Sequence, residues 1–143
     1  MDQFSKTVLP AAAESNIPSV TLTRHMPAFR RCVHPSDSVV LLAPCRRPEY
    51  SLTGDYLLLL TRTRLLVTRQ SRLSGKVTLH LEAPISDLDD VVWRTNSSRS
   101  SVEFAAMIGD TRHRFWISRP RSRQLWRVDA QFSGLFRPVP VAA

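Results

Sequence analysis

Two unbroken apolar runs, residues 56–60 (YLLLL) and 65–67 (LLV), are separated only by the polar stretch Thr61-Arg62-Thr63-Arg64. That arrangement reads as a β-hairpin with strands at 56–61 and 64–69. Further strands flank it. Residues 38–43 (SVVLLA) form a short apolar run between Pro35 and Pro44, which predicts a buried strand. Residues 44–55 then form a polar loop carrying Arg46 and Arg47. After the Ser74-Gly75 turn, residues 76–82 alternate: Val77, Leu79 and Leu81 point one way, Thr78 and His80 the other. Residues 85–88 are a transition into a strand at 89–95. Residues 96–101 make a polar loop. Strands at 102–108 and 112–117 are joined by Gly109-Asp110. In the last strand His113, Phe115 and Ile117 share one face, and Arg112, Arg114 and Trp116 the other.

The period changes after Pro120. Leu125, Val128, Phe132 and Leu135 recur every three or four residues, which predicts an amphipathic helix with Ser118 as N-cap and Gly134 as its stop. Near the other end, residues 23–33 fit a short helix with Met26, Phe29 and Val33 on one face. Thr23 would be its N-cap, and Pro27 would be confined to the first turn. Residues 1–19 show little periodicity. The expected organisation is a flexible arm over 1–22, one domain over 23–137 and a flexible tail over 138–143. The fold class is mainly β with one C-terminal α-helix.

Composition narrows the function classes. Formal net charge is +8, which favours an acidic protein face, anionic lipid or nucleic acid as partner. Eighteen Arg against two Lys is the usage of a GC-rich, for instance actinobacterial, genome, so each guanidinium need not have a role of its own. Two cysteines, Cys32 and Cys45, are too few for a disulfide framework. No signal peptide pattern is visible, and no apolar run approaches the roughly 18 residues of a membrane span. The expected place is the cytoplasm, peripheral at the membrane if lipid is the partner, with both thiols free.

The succession of seven strands and one amphipathic helix resembles a pleckstrin-homology-like domain, in particular the small bacterial and GRAM-like members. The hairpin Leu60-Thr61-Arg62-Thr63-Arg64-Leu65 is similar to their apolar strand, Thr-x-x-Arg turn and apolar strand. Ile85, Leu88 and Val91 match a following stepped pattern. The likeness covers roughly residues 38–137. It implies a seven-stranded, partly open β-barrel, or two near-orthogonal antiparallel sheets, capped by the helix. It further implies a non-enzymatic binding module, an adaptor or regulator. Lipid-binding members draw phosphoinositide contacts from the first hairpin loop, where Arg46 and Arg47 stand here, and from the next strand. Residues 56–61 carry no basic group, which counts against a specific inositol-phosphate pocket.

Three sets of residues are candidate contacts. Arg46 and Arg47 offer planar donor forks to a phosphate or carboxylate, or are two solvated loop charges. Arg62 and Arg64 flank a tight turn and, with Arg69 and Arg72, form a basic edge. Such charges also serve to keep sheet edges from pairing. Arg112, Arg114 and Trp116 make a basic and aromatic stripe suited to single-stranded nucleic acid or to a protein hot spot, unless a neighbouring element buries Trp116. Arg119, Arg121 and Arg123 place positive charge where a helix begins, which is unfavourable without a compensating anion.

No chemistry is visible beyond binding. His25, Cys32, His34 and Cys45 lack the paired spacing of a zinc site. Asp87, Asp89 and Asp90 lack the spacing of a calcium loop. There is no glycine-rich phosphate loop, no G-x-S-x-G and no H-E-x-x-H. A non-enzyme without metal or cofactor is expected.

Overall fold

A computed structural model describes residues 1–49, 54–119 and 122–136. Helices α1 (Gln3–Glu14) and α2 (Ser19–Cys32) come first. Strands β1 (Val39–Cys45), β2 (Gly54–Thr61), β3 (Arg64–Ser71) and β4 (Val77–Pro84) follow, then a single 3-10 turn, Ile85–Asp87. Strands β5 (Leu88–Asn96), β6 (Ser101–Ile108) and β7 (Thr111–Ser118) lead into helix α3 (Ser122–Phe136). The strands make two antiparallel sheets, β1-β2-β3-β4 and β5-β6-β7.

The central hairpin explains the layering. Consecutive residues of a strand point to opposite faces, so the unbroken run Leu57–Leu60 sends apolar groups both ways. Leu58, Leu60, Leu65 and Val67 meet Phe104, Phe115 and Ile117 of the second sheet and Leu125, Val128 and Phe132 of α3. Leu57, Leu59 and Leu66, with Leu42 of β1, face the other way, onto Phe4, Val8 and Ala12 of α1 and Leu22 and Phe29 of α2. Each such side chain contributes about 1.5–3 kcal/mol when fully buried. Neither face could be left to water.

This layering corrects the mainly β reading with one C-terminal helix. The fold is mixed α/β, with two N-terminal helices and one C-terminal helix. Its two sheets are separate and unclosed, so it is not a partly open β-barrel. An isolated two-residue bridge, Arg46 with Trp116, is the link between β1 and β7. Residues 1–22, expected to be a flexible arm, hold α1 and the start of α2. Asp2 caps α1 by accepting a hydrogen bond from Ser5 N at 2.7 Å. The helix ends in a Schellman turn: Asn16 has φ 55°, Asn16 N donates to Ala13 O, and Ile17 N donates to Ala12 O. The expected tail, 138–143, lies outside the described residues.

Smaller expectations shift for local reasons. Thr23 is not an N-cap but a residue inside α2, its hydroxyl bonded to Ser19 O at 2.8 Å. Pro27 sits in the interior of α2, as Pro10 does in α1, and both are exposed. The carbonyls freed by each ring therefore face water, which lowers the usual penalty. Pro44 lies within β1, an edge strand, where a missing N–H is tolerated. Ser118 ends β7 rather than capping α3. Gly134 does not stop α3, which runs on to Phe136. Gly109 supplies the tight turn between β6 and β7 with φ 59°.

Two substitutions test this architecture. Phe4 is 1% exposed, so Phe4→Ala should lower unfolding free energy by about 3–5 kcal/mol, measured by urea titration. A flexible arm would show no change. Gly134→Ala should instead raise stability by roughly 0.5–1 kcal/mol, because a methyl group there meets nothing within 4 Å. An unchanged or lower thermal midpoint would mean that the helix frays before residue 134.

Candidate functional site

The register of the second sheet arranges the basic and aromatic stripe. β7 is paired to β6, with Trp116 opposite Glu103, Arg114 opposite Ala105 and Arg112 opposite Met107. β5 adds Arg94 opposite Glu103 and Val92 opposite Ala105. These residues alternate with Phe104, Phe115 and Ile117, which are buried, so they form the outer face of the sheet. Arg112, Arg114 and Val92 are exposed and Trp116 is half-buried. Arg94 pairs with Glu103 at 2.6 Å. The Arg114 guanidinium lies 5.9 Å from the Trp116 ring centre, within cation–π reach. A hollow of about 340 Å³ is lined by Val92, Arg94, Glu103, Arg112, Arg114 and Trp116, among others.

Trp116 also borders a second hollow. Its backbone exchanges two hydrogen bonds with Arg46, each 2.9 Å, which pins the end of β1 against β7. Around that junction Arg46, Arg47, Asp55, Tyr56, Arg72 and Trp116 line about 380 Å³. Arg72 is bonded to Asp55 at 2.9 Å. The structure thus brings five of the candidate residues together: Arg46, Arg47, Arg112, Arg114 and Trp116. It separates the other two. Arg62 is exposed in the β2–β3 turn at the opposite end of the sheet, and Arg64 pairs there with Glu82 at 2.7 Å.

Arg47 is not a solvated loop charge. It is 3% exposed. Its guanidinium carbon stands 4.4 Å above the Phe115 ring, and Nη2 lies 2.9 Å from His113 Nδ1. Glu49 is its nearby carboxylate at 3.9 Å. Behind it, His80 meets the Tyr56 ring edge-on, with centres 4.9 Å apart. Burial, then Arg47, His113 and Arg69, push the His80 pKa down to about 4. Burial and then Arg47 lower His113 as well. Burial, with the Arg47 guanidinium adding to it, thus favours the neutral form of both rings. His25 is lowered by burial alone in a different place, where it is 1% exposed and its Nδ1 lies 2.6 Å from Thr68 Oγ1.

Sequence reasoning missed His80, Tyr56 and the inward turn of Arg47, and it set Arg72 on a basic edge with Arg62 and Arg64 rather than at this junction. One signal was present: His113 shares a face with Phe115 and Ile117, so something polar had to meet it inside. His80 was hidden by a bulge. Val67 pairs with Leu81 but Thr68 pairs with Leu79, so the alternation along β4 slips at His80. Other candidates separate. Arg119 is buried and donates to Ser15 Oγ at 2.7 Å and to Ser118 O at 3.1 Å. Arg123 is exposed, and Arg121 lies outside the described residues. Asp87, Asp89 and Asp90 are exposed. Among the described residues no three His, Cys, Asp or Glu side chains are placed to hold a metal ion. Cys32 and Cys45 are free thiols, with burial pushing Cys45 up to about 12. No described helix is long and apolar enough to cross a membrane.

No family model matches the chain, and no curated protein or solved structure matches it. The bacterial, actinobacterial origin and the adaptor label expected from the sequence find no support there.

Histidine titration separates the Arg47 contribution from that of burial. A histidine with a depressed native pKa stays neutral when folded, while the unfolded chain takes up its proton near 6.5. Stability is therefore fully present above that value and falls as pH drops from about 6.5 towards 4. The ring shifts of His80 followed by NMR should show a midpoint near 4. Arg47→Met, which keeps the stack on Phe115, should raise the midpoints of His80 and His113. No movement would mean that Arg47 contributes nothing and that burial sets both shifts.

Proposed function

We propose that this chain is a non-enzymatic, cytoplasmic protein-binding module that takes an acidic partner segment across Trp116. The observation that carries this reading is the position of Trp116 between two basic hollows, one with Arg46 and Arg72, the other with Arg112 and Arg114. Tryptophan and arginine are the residues most often found at the energetic centre of protein interfaces. The net charge of +8 would steer an acidic partner to this face.

The carboxylates in the hollows favour protein over nucleic acid. Glu103 stands among the arginines of one hollow and Asp55 among those of the other. Each carboxylate is paired with an arginine, so each hollow presents charges of both signs, which a protein face of mixed sign can match.

A pull-down on the immobilised full chain tests the proposal, with and without nuclease. The expected result is one protein retained in stoichiometric amount after nuclease treatment. Arg112→Glu with Arg114→Glu should reduce its capture at least tenfold, while Arg62→Glu leaves capture intact. All three residues are in exposed or edge positions, so thermal midpoints should stay close to the parent value. Material lost on nuclease treatment, or equal loss in the Arg62 variant, would overturn the reading.

A further inference from the structure

We propose a second, separate contact surface: the β3–β4 turn and the start of α2 form a tip that rests on an anionic lipid surface. It borders the Trp116 hollow at Arg46, but its apolar residues and its test variants are separate from that site. Leu73, in the turn between β3 and β4, is 94% exposed, and Val20, in the first turn of α2, is 62% exposed. Neither is needed for the core.

The two lie at the same end of the molecule. α2 runs over the sheet with Cys32 beside Glu82 near the end of β4, His25 on Thr68 of β3, and Arg24 at Gly75 in the turn. Arg24 Nη1 would stand 3.5 Å from a methyl group placed on Gly75. Val20 is one helical turn before Arg24, on the same face of α2. Gly75 itself has φ 72° and closes the turn, with its N–H donating to Ser71 O at 2.9 Å. Gln70 Nε2 donates to Gly75 O at 3.3 Å. The projection of Leu73 is thus built into an ordered turn.

Charge selects the occupant. The β1–β2 connection emerges at this same end, since Cys45 is paired with Tyr56 and Gly54 with Ser71. Arg24, Arg46 and Lys76 are exposed there and outnumber Glu49, while Arg72 and Asp55 pair with each other. An aliphatic projection ringed by cations matches a bilayer with anionic headgroups. The leucine enters the headgroup and acyl boundary, and the cations stay with the lipid charges. A fluid surface accepts a projecting side chain without a matching pocket. A protein hot spot, by contrast, needs a well-packed recess.

Vesicle co-sedimentation with the full chain tests this. The expected result is little binding to phosphatidylcholine vesicles and clear binding, weakened by salt, to phosphatidylcholine mixed with phosphatidylserine. Leu73→Ser should reduce partitioning roughly tenfold. Lys76→Glu should reduce it roughly thirtyfold, since each basic group at such a surface is worth about fivefold. Arg62→Glu removes the same charge from the turn at the opposite end of the sheet and should have little effect. Leu73 and Lys76 are exposed, so folding is preserved and circular dichroism should be unchanged. Equal binding to both vesicle types, no binding to the mixed vesicles, an inert Leu73→Ser, or an Arg62→Glu loss equal to that of Lys76→Glu would each overturn the proposal. The Trp116 site is tested by other variants, so either idea can fail alone.

Discussion

The β2–β3 hairpin is apolar on both faces, and the rest of the structure follows from that demand. A strand that alternates apolar and polar residues needs one covering layer; a strand reading Leu57–Leu60 needs two. One is supplied by the second sheet with α3, whose Phe132 stacks on Phe104 at 4.7 Å between ring centres. The other is supplied by α1 and α2, laid over Leu57, Leu59 and Leu66. The helices at the two ends of the chain are joined at one margin, where Arg127 pairs with Glu14 and Arg119 reaches Ser15.

The same logic places the candidate site. Helices cover the outside of the first sheet, but nothing among the described elements covers the outside of the second, because α3 packs on its inner face. Trp116, Arg112 and Arg114 stand there. The polar groups that do enter the interior are each tied down. Asp37 accepts from the Thr61 and Thr63 hydroxyls at the β2–β3 turn, His25 meets Thr68, and Arg47 lies on Phe115 beside His113. Removing one partner of such a buried contact costs more than the contact itself contributes, so these ties fix the geometry around the surface residues.

Seven strands and α3 were legible in the sequence because period-2 and period-3.6 patterns survive in β6, β7 and α3. The N-terminal layer was legible too, but in a signal easily passed over. Phe4, Val8, Ala11 and Ala12 follow helical spacing behind an Asp2 cap, but Pro10 falls within that run and masks it. The unbroken leucines of β2 already required something to cover a second face. What the sequence could not display was closure: strand order alone does not say whether seven strands curl into a barrel or split into two sheets. At the site, the stripe on β7 was readable from alternation, whereas its union with Arg46 depends on a bridge between residues seventy positions apart in the chain. Arg47 turned inward because Phe115 and His113 give a guanidinium a ring face and an acceptor, a long-range fact no local pattern carries.

Charge by itself locates little on this molecule. Much of it is engaged in the fold: Arg30 with Asp2, Arg64 with Glu82, Arg72 with Asp55, Arg94 with Glu103 and Arg127 with Glu14. Exposed pairs of this kind are worth about 0–1 kcal/mol and mark no site. At the two proposed contact surfaces apolar groups stand beside cations. At Trp116 the apolar group is a half-buried ring bordered by hollows, which rewards a partner of defined shape. At Leu73 it is a lone aliphatic projection, which rewards a surface without shape. Net charge draws acidic partners towards the molecule as a whole, and the apolar group decides which kind of partner stays.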